Sequence, residues 1–321
     1  MDTISKNNEK KAAFTSGQKT VTVIGAGAIG LSWTALFLAN GLNVIINDPR
    51  PDIREVALHG LDLIKPTLSS LGYDVADLTA GLSFESELGK AVENADFIQE
   101  NGPENVAFKQ DLYAKLENHI KADALLLSSS SSIPASIFAE KMKNAERVLI
   151  GHPFNPPHLI PLVEVVPGKQ TSKAAVAEAL EFYKALGKQP ILIEREISGF
   201  VANRLQIALL RESIYLVESG VVTMENLDNI VSSSIGLRWA AAGPFKTFTL
   251  GGGTGGFPHF LEHLGPLVES IWGILGSPKL DEHTKAILLN QAAESYGKIP
   301  YEELETERDG QQLAILKALK K

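Results

Sequence analysis

A chain of 321 residues with 44% hydrophobic and 21% charged residues holds enough apolar material for one or two packed cores, which excludes a mainly disordered protein. A net charge of −8 excludes the basic footprint of a nucleic-acid binder and argues against an anionic membrane surface. The lack of cysteine excludes disulfides, a thiolate nucleophile and Cys-ligated metal, and fits a reducing compartment.

Residues 1–19 are polar and Lys-rich, without the apolar stretch of a secretory signal, and are expected to form a flexible tail. The most apolar runs are far shorter than the roughly 20 residues of a membrane span. A cytoplasmic location is the expectation. From Thr20 onward TVTVIG reads as a buried strand, GAGAIGLSWTALFLANG as a glycine turn into an apolar helix, and LNVIIND as a second strand. Further strands are predicted at ADFIQE (95–100), ALLLSS (124–129), RVLIGHP (147–153), LVEVV (162–166) and QPILIER (189–195), with helical patterns between most of them. This alternation predicts a Rossmann-type, doubly wound, mostly parallel sheet. After Ile197 the strand signal stops, and helices are predicted at 200–219, 224–232, 257–275 and 282–296. The expected division is an α/β domain over 20–197 and an all-α domain over 198–321. The segment GGGTGG (251–256) reads either as a flexible loop or as main chain that a substrate approaches closely.

Gly25, Gly27 and Gly30 form a G-x-G-x-x-G turn between the first strand and the first helix. Gly25 permits the tight turn, Gly27 lets the backbone meet a pyrophosphate, and Gly30 allows close helix–strand packing. The N–H groups around Ala28 and Ile29 open the helix and favour the phosphates. Asp48 ends the second strand roughly 20 residues further on, where its carboxylate can receive a ribose 2′-hydroxyl and repel a 2′-phosphate. NAD is therefore the expected cofactor. The competing reading is a tight turn of another doubly wound protein, with Asp48 starting the Asp48-Pro49 turn.

In RVLIGHPFNPPHLIPLVEVVPG (147–168), His152 ends one predicted strand and Glu164 interrupts the next, otherwise apolar, strand. A strand–loop–strand that folds back would pair the imidazole with a carboxylate, an arrangement suited to general acid–base work. The alternative is a hydrogen-bonded structural histidine. His158 competes for the role but lies in the Pro-rich loop without an obvious acidic partner.

Together GAGAIG, FIQE, SSSSSIPAS (128–136), GHPFNP (151–156) and SGFVANRL (198–205) resemble the 3-hydroxyacyl-CoA dehydrogenase superfamily over nearly the whole chain. The resemblance implies that His152 is the catalytic base and Glu164 its partner. It also implies that Ser131 and Asn203 hold the reacting oxygen, that Asn155 lies by the substrate and that Glu100 is a cofactor-side acid. A homodimer formed through the helical domain and L stereochemistry at C3 follow from the same likeness. The bland alternatives are a solvating role for Ser131 and a helix-start cap for Asn203.

The segment between Asp48 and FIQE is shorter than the CoA-gripping arm of the acyl-CoA enzymes, and their Gly-rich ending is missing. GLRW, GPFKTFTLGGG and HFLEHLGP resemble the small-substrate branch, in particular its carnitine 3-dehydrogenases, whereas GFVANRLQIALLRE is closer to the lambda-crystallin and gulonate 3-dehydrogenase group. Phe245, Phe248, Phe257 and Phe260, with Trp239 before and Glu262 after, could surround a trimethylammonium group; the alternative is ordinary core packing. Arg238 could receive a substrate carboxylate or make an ion pair, and Lys246 is a weaker candidate. The expected activity is NAD-dependent oxidation of a small 3-hydroxy acid, carnitine or another betaine-like compound, with gulonate and short acyl-CoA substrates as alternatives. A crystallin-like NAD(H)-binding structural protein is the non-enzymatic alternative.

Overall fold

A computed structural model of the protein describes Phe14 and residues 18–319. Of the tail expected over residues 1–19, Phe14, Gln18 and Lys19 are described and the rest lies outside the described residues: the Phe14 N–H donates to the Asn40 carbonyl, its ring meets Phe182, and Lys19 Nζ bonds Asp96. Two compact units divide between Asn203 and Arg204.

The first unit is built on eight strands: β1 (Thr20–Ile24), β2 (Asn43–Asn47), β3 (Leu82–Phe84), β4 (Phe97–Glu100), β5 (Leu125–Ser128), β6 (Val148–Pro153), β7 (Leu162–Pro167) and β8 (Gln189–Leu192). They form one sheet in the order β3-β2-β1-β4-β5-β6-β7-β8, parallel throughout except between β6 and β7. Its helices are α1 (Ala28–Ala39), α2 (Ile53–Ser70), α3 (Leu88–Val92), α4 (Val106–Leu116), α5 (Ala135–Phe138) and α6 (Lys173–Ala185). Side chains of α1, α2 and α6 enter one apolar cluster and those of α3, α4 and α5 another, so the sheet is covered on both faces. That explains why β4, β5 and β6 are buried along their whole length and read as continuous apolar runs. The predicted doubly wound architecture is the observed one. The edge strand β3 escaped the sequence reading.

The second unit is helical. It follows from α7 (Ala202–Glu218), whose first two residues still belong to the sheet unit, through α8 (Met224–Ser233), α9 (Ile235–Ala241), α10 (Pro244–Gly251), α11 (Gly256–Trp272), α12 (Glu282–Ser295) and α13 (Tyr301–Leu319). Thr223 and Asp281 cap α8 and α12 by accepting N–H bonds from Asn226 and Thr284. The GGGTGG stretch is not a loop: it closes α10, makes one 3-10 turn over Gly253–Gly255 and opens α11. The glycines serve a close main-chain approach within the chain, since a Cβ on Gly252 would lie 1.9 Å from the Gly256 carbonyl oxygen.

Candidate active site

The dinucleotide-type turn has the geometry its glycines require. Gly25 follows β1 with φ +81, and a Cβ there would press on the Asn101 main chain at 3.0 Å. A Cβ on Gly30 would lie 2.0 Å from the Gly25 carbonyl oxygen, so the first turn of α1 packs directly against the strand end. Gly27 is the N-cap of α1 and a Cβ there would meet nothing within 4 Å, leaving the helix start open on that side. No side chain caps α1 and no acid occupies its first turn, so the N–H groups around Ala28 and Ile29 face an uncompensated positive helix end. These are the features a pyrophosphate needs.

Asp48 is largely buried beside this turn. Its Oδ2 accepts the Ala26 N–H at 2.8 Å, and its Oδ1 accepts Arg50 Nε at 2.8 Å. Burial alone would raise its pKa, but the Arg50 side chain and the N–H groups of Ala26 and Arg50 outweigh that and hold the carboxyl below its usual range. Arg50, which also donates to the Ala26 carbonyl, escaped the sequence reading. Its signal was the Asp-Pro-Arg step at the end of β2.

The antiparallel register of β6 and β7 places His152 directly opposite Glu164. Their side chains meet at 2.8 Å between Nδ1 and Oε2, and only 3% and 2% of the two residues is exposed. Glu164 Oε1 accepts the N–H groups of Val201 and Ala202 at 3.0 Å each. Burial tends to raise its pKa, but the bonds from His152, Ala202 and Val201 prevail and hold Glu164 below the usual carboxylate range. An ionised carboxylate only accepts, so the pairing assigns the proton to Nδ1 and leaves the Nε2 lone pair for another partner. Phe154 and Phe200 flank the imidazole, each with its ring centre 5.4 Å away. His158 is otherwise engaged: its N–H donates to Ser32 Oγ, and its Nδ1 lies 2.8 Å from the same oxygen. Asn155 is exposed in the loop that follows β6.

The serines that end β5 and follow it divide their tasks. Ser128 donates to Glu100; Ser129 accepts from Trp33 and Gln99 and donates to Asn101; Ser130 and Ser132 bond Glu104. Ser131 is exposed, and its carbonyl accepts from Asn203 Nδ2 at 3.2 Å, so these two predicted partners do come together.

The expectation for Glu100 requires correction. It is fully buried, its two oxygens lie 2.8 Å from Lys109 Nζ, and it also accepts from Ser128 Oγ and the Gly102 N–H. A carboxylate so saturated and sealed off has no capacity left for a cofactor. The acid that reaches the crest of the serine loop, residues 131–133, is Glu104, which sequence reasoning missed.

Arg238, on α9, is exposed, and so are Lys246 and Glu262. Phe245 and Phe248 on α10 pack against Phe257 and Phe260 on α11, with ring centres 5.8 and 4.8 Å apart. Phe257 and Phe260 stack on each other at 5.8 Å. Phe260 is buried, whereas Phe245 is 75% exposed and Phe248 42%, so the cluster is core at one end and open aromatic face at the other. Trp239 is exposed as well.

The 3-hydroxyacyl-CoA dehydrogenase NAD binding domain matches residues 20–197 and the C-terminal domain of the same family matches 199–267. A 3-hydroxyacyl-CoA dehydrogenase of Gibberella moniliformis is 41% identical over 308 residues, 94% of this chain and 95% of that protein. An L-carnitine dehydrogenase of Streptomyces coelicolor is 40% identical over 300 residues, 94% of each chain. Among solved structures, an NAD+ dependent dismutase, 5-formyl-3-hydroxy-2-methylpyridine 4-carboxylic acid 5-dehydrogenase, superposes with a TM-score of 0.81 at 29% identity, covering 94% of this chain and 98% of its own.

Proposed function

The chain belongs to the 3-hydroxyacyl-CoA dehydrogenase family and is an NAD-dependent oxidoreductase acting on CH–OH groups; on that premise we propose that it oxidises the 3-hydroxyl of a small L-3-hydroxy acid, L-carnitine or a similar betaine-like compound. The observation that carries this reading is the sealed His152–Glu164 pair with its Nε2 lone pair unspent. His152 takes the hydroxyl proton on Nε2 as the C3–H bond breaks, and Glu164 holds the tautomer and stabilises the imidazolium. The Gly25–Gly30 turn and Asp48 would hold NAD, which would supply the hydride acceptor. The Ser131 hydroxyl and the Asn203 amide hold the reacting oxygen against the imidazole, a positioning role that lowers the entropic part of the barrier.

Substrate choice is assigned to the helical part. The open faces of Phe245 and Phe248 suit a quaternary ammonium, and Arg238 suits the carboxylate. Asn155 is assigned to the substrate side of the loop after β6. Support for a substrate without a CoA tail comes from the segment between Asp48 and β4, which holds α2, the three-residue β3 and the short α3. The similarity to L-carnitine dehydrogenases points the same way. In this reading residues 20–197 bind the cofactor, and residues 198–321 bind substrate and pair two copies into a cytoplasmic homodimer. Leu264, Leu267 and Ile271 share one exposed face of α11, which suits such pairing. Among the described residues no helix is long and apolar enough to cross a membrane.

The test is NADH formation by the purified protein with L-carnitine, L-gulonate and 3-hydroxybutyryl-CoA in parallel. Turnover confined to L-carnitine supports the reading. Preference for the acyl-CoA, the activity named for the Gibberella relative, would overturn the substrate assignment and leave the dyad. Turnover of none would favour a structural NAD(H)-binding role. Leu267→Arg with Ile271→Arg should convert dimer to monomer in light scattering, and an unchanged mass would remove α11 from the interface.

A further inference from the structure

Glu104 lies just before α4, exposed over 37% of its side chain, yet one of its oxygens is the most heavily bonded acceptor around the serine loop. The N–H groups of Ser131, Ser132 and Ile133 point at Oε1 from 3.1, 2.7 and 3.2 Å. The Ser132 and Ser130 hydroxyls lie 2.8 Å from the same atom, the latter shared with the Ile133 carbonyl. Successive backbone N–H groups converging in this way form an anion-binding concavity. Here the chain fills it with its own carboxylate.

The other oxygen of Glu104 is 4.0 Å from Lys109 Nζ, and Lys109 is fixed in turn by the buried Glu100, which also receives Ser128 from the root of the same loop. The serine loop is therefore gripped at its start by Glu100 and at its crest by Glu104, with Lys109 joining the two acids. Burial tends to raise the pKa of Glu104, but the bonds from Ser132 and Ser130 and the Lys109 charge keep it below the usual carboxylate range. The grip is thus ionised at neutral pH. The residue so held is Ser131, whose carbonyl receives Asn203.

We propose that Glu104 is a positioning residue of the reaction: by filling the N–H concavity of residues 131–133 it fixes the Ser131 hydroxyl, and through the Ser131 carbonyl the Asn203 amide, at the reacting oxygen. The proposal rests on the roles given above to Ser131 and Asn203. A loop released by loss of this carboxylate leaves both groups displaced while the Gly25–Gly30 turn and the His152–Glu164 pair keep their geometry. Displacements of about 1 Å in positioning groups can cost about 10²-fold in rate.

The experiment compares E104A, S131A/N203A and E104A/S131A/N203A with the native enzyme, reading kcat, the KM for NAD and NADH binding. E104A should lower kcat about 10–100-fold with the KM for NAD changed by less than about twofold. In the S131A/N203A background the same substitution should cost nothing further, because its targets are gone. Added formate should restore part of the kcat of E104A by entering the vacated concavity, and should not affect S131A/N203A. A native-like E104A beside a crippled S131A/N203A overturns the proposal alone, as does a further loss in the triple variant. Full turnover by S131A/N203A overturns the roles of Ser131 and Asn203, and the proposal falls with them. If E104A does not fold, E104Q serves: it keeps one acceptor oxygen but loses the charge, and should show the same kcat loss in milder form.

Discussion

Helices α1 and α13 show how differently the two units use their sequence. In α1 every residue from Gly30 to Ala39 is buried, because the helix is sealed between the sheet and α2, and polar side chains inside it must find partners. Thr34 and Asn40 turn back on the Gly30 and Leu36 carbonyls, and Ser32 holds His158. In α13 no residue is buried, and among the described residues the same is true of α8, α9 and α10. The sheet unit is a finished interior whose polar groups are almost all spoken for. The helical unit carries large apolar side chains at its surface: Phe245 and Ile274 are each 75% exposed and Trp272 66%. In the reading proposed above, chemistry is fixed where burial is complete, and recognition is left to the unit with exposed apolar surface.

That contrast is sharpened by substitutions on each side. The largest effect belongs to the interior: His152→Gln should lower kcat by about 10²–10⁴-fold while NADH still binds, and unchanged turnover would remove His152 from the reaction. Asp48→Ser should follow. Loss of a charged acceptor for a ribose hydroxyl, worth about 1.5–3 kcal/mol, raises the KM for NAD about 10- to 100-fold. Arg50, released from Asp48, becomes available to a 2′-phosphate, so the NADP-to-NAD ratio of kcat/KM should rise; a ratio that stays put would separate Asp48 from cofactor choice. On the helical side the effect is smaller and confined to binding. Phe245→Leu should raise the KM for a trimethylammonium substrate by about 2- to 30-fold, the range of one cation–π contact of about 0.5–2 kcal/mol, with kcat kept. Equal loss with an uncharged analogue would make the ring mere packing.

The smallest effect is one of pH. Glu164 has a lowered pKa in the folded protein, so its contribution to stability is complete above the range of a free carboxylate and is lost as pH falls through the lowered value. Glu164→Gln should therefore flatten the acid side of the Tm profile, by about 2–4 °C between acid and neutral pH. An acid limb identical to that of the native protein would show that the pair contributes nothing to folding.

The legible parts of the molecule are those where one rule decides. Strands β1, β4, β5, β6 and β7 were readable because burial on both faces leaves near-continuous apolar runs, and β2 and the edge strand β8 through their Val, Ile and Leu residues. Strand β3 was not, since its three residues, Leu-Ser-Phe, are too few to form a run. The helix α13 was hidden by a polar sequence interrupted by Gly310. At the site, Glu164 announced itself as a charge inside an apolar strand, which needs a partner. Glu100 and Glu104 could not be told apart in that way. Which acid is neutralised and sealed depends on where Lys109 of α4 points, and that is settled by how α4 folds back on the end of β4.

The cross-strand register of His152 and Glu164 also sets where this gene can tolerate insertions. Residues 154–161 connect β6 to β7, and their number does not enter the pairing of the two side chains, although His158 on Ser32 and the Lys188 bonds to the Pro157 and Ile160 carbonyls tie that connection down. The strand has no such latitude for the pair. Side chains alternate between the faces of a sheet, so deleting one residue between Leu162 and Glu164 would carry the carboxylate to the opposite face. A change of length thus spares the cross-strand pair before Leu162 and destroys it after.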